Sequence, residues 1–145
     1  MKANDPYTSK KVTANAYAKK VPLEAKVVAV LRGTVADRGL ELIPQPSRVV
    51  SKGEVHEVIL TPEPASPGSR VGSIAYLAFV EFQNGGVLLS GDKVFVDGDE
   101  VGEVAGYDMS HFPNHMNLVV RGELRSGEDR GISLSSNVSF RMRSE

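Results

Sequence analysis

No part of this sequence sustains an apolar period of 3.6 residues over three turns between capping residues, and that absence limits the fold more than any single motif. What recurs instead is a short run of β-branched residues cut off by glycine or proline. AKVVAVLRG (Ala25–Gly33), LELIP (Leu40–Pro44, after the turn-like ADRG) and SRVVSKG (Ser47–Gly53) are of this kind. EVHEVIL (Glu54–Leu60) alternates, with Val55, Glu57 and Ile59 on one face and His56, Val58 and Leu60 on the other. TPEPASPGS (Thr61–Ser69) carries three prolines and a glycine, a composition that supports only a loop. SIAYLAFVEF (Ser73–Phe82) is long enough for a helix, but its aromatic and β-branched residues favour a pleated surface. Asn84-Gly85-Gly86 suits a hairpin turn, and VLLSGDKVFVDGDEVGEVAG breaks into short β pieces at Gly91, Asp97-Gly98 and Gly102. MNLVVRGEL and NVSFRMR follow, separated by the polar loop RSGEDRG. About eight closely spaced strands predict an all-β barrel or sandwich, and closure removes the unpaired edges such apolar strands would otherwise expose.

A chain of 145 residues fits one domain with one core. The expected division is a basic, flexible arm over residues 1–22 and a single barrel domain over residues 23–145. Residues 1–20 carry Lys2, Lys10, Lys11, Lys19 and Lys20 against Asp5 alone, a local +4 within an overall charge of −1. That segment lacks the apolar surface to offset its ordering entropy, and its lysines read as solvated. Its other reading is an arm that docks on a second copy through Tyr7, Val12 and Tyr17, giving a homo-oligomer. A near-neutral molecule has no general attraction to nucleic acid or an anionic membrane, so neither is expected as a partner. With no cysteine, disulfides, thiolate metal sites and cysteine nucleophiles are all excluded. The start MKANDPYTSKK has no signal-peptide h-region and no run is long enough to span a bilayer, which predicts a cytoplasmic protein.

Two of the three histidines fall in GYDMSHFPNHMNLVV (Gly106–Val120), around a proline and between apolar runs. One reading is catalytic: His115 exchanges protons near neutrality as general acid or base, and Asp108 orients its ring. Tyr107, His111, Asn114, Asn117 and Arg121 are then the candidate ligand contacts, through amide hydrogen bonds or an anion contact. A metal held by Asp108, His111 and His115 is a further reading, but Pro113 interrupts the helical hydrogen bonding that would align the two rings. The third reading is structural: Asp108 and Ser110 bond nearby amides, Phe112-Pro113 fixes a corner, and His115 donates to a buried carbonyl. No specific metal set or cofactor emerges.

Other motifs carry less. His56 between Glu54 and Glu57 reads as a surface or half-buried strand histidine. VDGDEVGE (Val96–Glu103) lacks the remaining EF-hand ligands and reads as a hairpin. Gly85-Gly86 and Gly91 precede no helix or Lys-Ser/Thr pair, so they form no phosphate loop. No serine sits in a nucleophile elbow. The arginines of FRMRSE read as a solvated face.

The segment SGDKVFVDGDEVGEVAGYDMSHFPNHMNLVVRG (Ser90–Gly122), roughly a third of the chain, resembles the glucitol/sorbitol-specific enzyme IIA component of the bacterial sugar phosphotransferase system. Gly91-Asp92, Val101–Gly106 and Asn114-His115 followed by Leu118–Val120 carry the likeness. It implies a closed Greek-key β-barrel of prokaryotic type, of about six to eight strands. That family relays phosphate through a histidine expected near Ile74–Gln83, where this chain has Phe79 and Glu81 instead. Neither side chain replaces imidazole as a reversible phosphoryl carrier, so phosphotransfer is not expected. The expectation is a binding or accessory barrel for a small molecule; the alternative is a small metabolic enzyme, metal-dependent or not, built on Asp108, His111 and His115.

Overall fold

The structure, a computed structural model, describes residues 17–143. Its regular elements are all strands: β1 (Leu23–Val30), β2 (Thr34–Val35), β3 (Leu40–Glu41), β4 (Ser47–Val50), β5 (Val55–Thr61), β6 (Arg70–Val71), β7 (Ile74–Phe82), β8 (Gly86–Leu89), β9 (Lys93–Val96), β10 (Asp99–Asp108), β11 (Asn117–Arg121) and β12 (Asn137–Arg141). Seven of them close a ring in the order β1, β12, β9, β10, β11, β5, β7 and back to β1. Every contact in the ring is antiparallel except β11 with β5. The spatial order β12-β9-β10-β11 is a Greek key, because three consecutive strands pair in turn and the fourth returns beside the first. The expected all-β closed barrel is therefore present.

Strand alternation fills the ring. Val58 and Leu60 of β5, Leu118 and Val120 of β11, Val104 and Tyr107 of β10 and Val138 and Phe140 of β12 belong to one buried cluster with Val27 and Phe82. The Phe82 and Phe140 rings stack at 5.5 Å. Each large side chain so buried contributes about 1.5–3 kcal/mol, which gives the ring its cohesion. The residues between these face outward: Ile59, Val119 and Ala105 form a second cluster with Leu40, Leu42, Val71 and Ile74. Much of that second layer comes from the segment between β2 and β7, whose strands β3 and β6 pair only with each other. Two pieces of chain, one around β3 before β5 and one around β6 after it, thus lie across the outer face of the barrel.

Local turn chemistry explains some joints and not others. Asp97 and Gly98 both hold positive φ, 50° and 89°, and join β9 to β10 as the expected hairpin. At Gly102 the β10 register slips, and a Cβ there would stand 1.9 Å from the Arg121 carbonyl oxygen, so only glycine fits. The Asn84-Gly85-Gly86 hairpin is corrected: β7 pairs with β5, β1 and β2, whereas β8 pairs with β4. The Asn84 side chain accepts from the Glu24 amide and donates to the Pro22 carbonyl, which ties this bend to the start of β1.

Residues 17–22, placed by sequence in the flexible arm, include one anchored lysine. The ammonium of Lys20, 6% exposed, lies 2.6 Å from the carboxylate of Asp92, 1% exposed, and corrects the reading of that lysine as solvated. The proposed anchors Tyr7 and Val12 lie outside the described residues.

Candidate functional site

A polar row crosses the outer face of the barrel where the apolar layer ends. Register places Asp108 on β10 opposite Asn117 on β11, Asn117 opposite Glu57 on β5, and Glu57 opposite Phe79 on β7. These positions share a face with Ile59 and Val119 two residues along, so the row continues the covered layer with hydrogen-bonding groups. Asp108 is buried, and its carboxylate accepts from the amides of Glu41 and Ser110 (both 3.0 Å), the Ser110 hydroxyl and Asn117 Nδ2 (3.3 Å). Burial alone would raise its pKa; the bonds from Ser110, the Glu41 amide and Asn117 outweigh it and hold the carboxyl below its ordinary range. Asp108 is thus a filled structural acceptor, and its side chain orients Asn117 rather than His115.

The loop from Met109 to Met116 roofs this row. The His111 carbonyl accepts from the amides of Asn114 (2.9 Å) and His115 (3.2 Å). This turn, which contains a cis Phe112–Pro113 bond and is not helical, corrects the expectation that Pro113 interrupts the hydrogen bonding that would align the two rings: proline lacks a donor only at its own nitrogen, and the turn closes on residues 114 and 115 instead. The His111 and His115 rings stack at 5.3 Å, and His115 meets the Phe79 ring edge-on at 5.1 Å. His115 Nδ1 lies 2.7 Å from Asn114 Oδ1. Its Nε2 is 3.3 Å from Glu57 Oε1, yet that approach lacks hydrogen-bond geometry, so Nε2 is buried and unsatisfied. It is a proximity rather than a bond, because a misaligned donor at this distance gains little. Among the described residues no three histidine, aspartate or glutamate side chains cluster as a metal set, so Asp108, His111 and His115 do not converge.

On the other side of the loop lies a cleft of about 270 Å³ lined by Arg48, Glu54, His56, Phe112, Pro113 and Asn114 with Val55. Its floor is a finished unit. His56 Nδ1 accepts from the Met116 amide at 3.0 Å, which fixes the proton on Nε2, and Nε2 donates to Glu54 at 2.8 Å. This histidine is buried, not the half-exposed one the sequence suggested. The Arg48 guanidinium sits over the half-exposed Phe112 ring, 5.1 Å from its centre, and its buried Nε has no partner among the described residues. Among the described residues no carboxylate pairs with Arg48.

A family model matches residues 17–141. The chain belongs to DUF6917, a family of unknown function. Searches among curated proteins and among solved structures gave no match. The part of this DUF6917 chain that matches spans every strand of the ring together with Lys20 and the roofing loop.

Two of the expected ligand contacts in the DUF6917 chain point elsewhere. Tyr107 faces the barrel interior, fully buried, with its hydroxyl donating to the Pro46 carbonyl at 3.1 Å; burial, then the Asp92 carboxylate, pushes its pKa well up. Arg121 lies four residues beyond Asn117 on β11, about 13 Å along the strand. It donates to the Ala65 carbonyl and to Glu103, so its charge is already used. His111 and Asn114 are exposed on the roofing loop, and Asn117 is buried beneath it. Sequence reasoning missed Glu57, Glu54 and Arg48. Glu57 carried a signal in the alternation of Glu54–Leu60, which sets it on the face opposite His56; Arg48 carried none.

Proposed function

We propose that this chain is a binding module for a small molecule bearing a carboxylate or phosphate, held in the cleft between Arg48 and the roofing loop. The observation that carries the reading is a guanidinium with an unpartnered, buried Nε beside an apolar ring in a concave site. Arginine is suited to planar anions because its N–H groups form a fixed fork, and a ring beneath it orients that fork while leaving the edge free. The cleft is slightly smaller than common ligand pockets, which favours a small ligand. Glu54 and Asn114 also line the cleft, and a ligand hydroxyl would find an acceptor in the Glu54 carboxylate and a donor in the Asn114 Nδ2.

Titration of the full chain with inorganic phosphate and small mono- and dicarboxylates, followed by amide NMR shifts, tests this. Shifts centred on Arg48, Phe112 and Asn114 are expected, and Arg48→Ala should weaken the response at least tenfold. Shifts scattered over surface lysines, or unchanged by Arg48→Ala, sink the reading. On this reading the likeness to the glucitol/sorbitol-specific barrels extends to shape and not to phosphate relay. A cytoplasmic, prokaryotic setting and self-association through the lysine-rich arm belong to the same proposal. The enzyme reading draws its support from His115, whose open Nε2 faces Glu57 rather than Asp108.

A further inference from the structure

On the outer face of the barrel, apart from the anion cleft, three side chains leave their coordinating atoms unused. We propose that Glu57, His115 and Asn117 form a binding site for a divalent first-row transition-metal cation, with Zn²⁺ the best-suited probe. The side chain of Glu57 is 12% exposed and that of His115 15%, and the fully buried Asn117 has an Oδ1 with no partner among the described residues. Asn117 Nδ2 is turned to Asp108 on the β10 side, which directs Oδ1 away from β10; the strand on the other flank is β5, with Glu57 opposite.

The separation of His115 Nε2 from Glu57 Oε1, 3.3 Å without hydrogen-bond alignment, suits two donors of one ion. Ligands about 2.1 Å from a shared metal at tetrahedral or octahedral angles stand roughly 3.0–3.4 Å apart. The remaining ring nitrogen is occupied as a metal-binding histidine requires: Nδ1–H donates to Asn114 Oδ1 at 2.7 Å, which leaves the Nε2 lone pair facing Glu57. An imidazole nitrogen with a carboxylate and an amide oxygen favours Zn²⁺, Mn²⁺ or Ni²⁺ over Ca²⁺, with open positions left for water or a ligand group. The near-parallel His111 ring, interplanar angle 28°, does not present its in-plane lone pairs to the same point and is excluded from the set.

The test is calorimetric titration of the chelator-treated full chain with Zn²⁺, alongside NMR of its histidine ring nitrogens. One Zn²⁺ per chain is expected, with the His115 Nε2 resonance shifting on binding. Glu57→Gln and His115→Gln should each weaken binding at least tenfold, while His111→Gln and Arg48→Ala leave it unchanged. Absence of saturable one-to-one binding overturns the proposal. So does binding that survives Glu57→Gln, or that is lost with His111→Gln, which would mark an exposed histidine pair. The nitrogen shift in the unsubstituted protein decides the matter even if a variant fails to fold.

Discussion

His56 and His115 each lie beside a glutamate near the start of β5, and the two pairs are finished differently. His56 is closed: one nitrogen accepts a backbone amide, the other donates to Glu54, and the ring meets Phe82 edge-on at 6.1 Å. His115 is open, with Nε2 near Glu57 but hydrogen-bonded to none of the described residues. Strand alternation sets the difference, since His56 and Glu57 are sequence neighbours facing opposite sides of one sheet. At the barrel interior a polar atom must be met by protein, because an unmet one costs about 1–3 kcal/mol. On the outer face, beneath a loop, such an atom can instead be met by a ligand. A buried polar pair therefore points to function only when its list of partners is incomplete.

The closed side should be costly to break, and most of all at Lys20–Asp92. Lys20→Met leaves the Asp92 carboxylate buried and unpaired, a loss of about 3–5 kcal/mol for a buried pair, measured by urea unfolding near pH 7. Burial already raises the Asp92 pKa against the pull of Lys20. With a raised folded pKa, folding favours the protonated acid, so its stabilising effect is present at low pH and lost as pH rises through the folded value. The variant's deficit should accordingly shrink on acidification; a deficit independent of pH would mean that Lys20 acts through packing alone.

His56→Leu comes next. It orphans the Met116 amide and should cost about 2 kcal/mol in the same assay. Asp108→Asn keeps the shape of a filled acceptor but loses its charge, for about 1.5 kcal/mol at neutral pH. Because the folded pKa of Asp108 is lowered, its contribution is present above the ordinary carboxylate value of about 3.9 and lost as pH falls through the folded one. The variant should lack that part of the acid limb; an unchanged acid limb would assign it to other carboxylates.

Period-two alternation made individual strands legible, including the two faces of Glu54–Leu60, because it depends only on local geometry. Partner choice was not legible. Asn84-Gly85-Gly86 has the chemistry of a bend, yet nothing local tells β8 to pair with β4, or β5 to run parallel to β11. The site divided the same way. His115, Asn114 and Asn117 stand together in the one stretch Gly106–Val120, whereas Glu57 and Arg48 reach it from strands about sixty residues earlier. Tyr107 and Asp108 were grouped as neighbours, but consecutive strand residues face opposite sides and only Asp108 joins the polar row. Arg121 failed for a related reason, since strand rise carries it away from Asn117.

The smallest expected effect bears most directly on the open pair. His115→Ala removes an edge contact with Phe79 and a bond to an amide that water can replace on the exposed loop. No hydrogen bond to Nε2 is lost. The cost should stay near or below about 1 kcal/mol, roughly what an aromatic edge contact contributes. Glu57→Ala should then cost the same in that background as in the unsubstituted protein, because the two side chains share no bond whose loss would couple them. If instead His115→Ala costs as much as His56→Leu and the double variant costs no more than the single, the 3.3 Å approach is a working ion pair in solution. His115 would then be as closed as His56, and its Nε2 would have no lone pair to offer a cation.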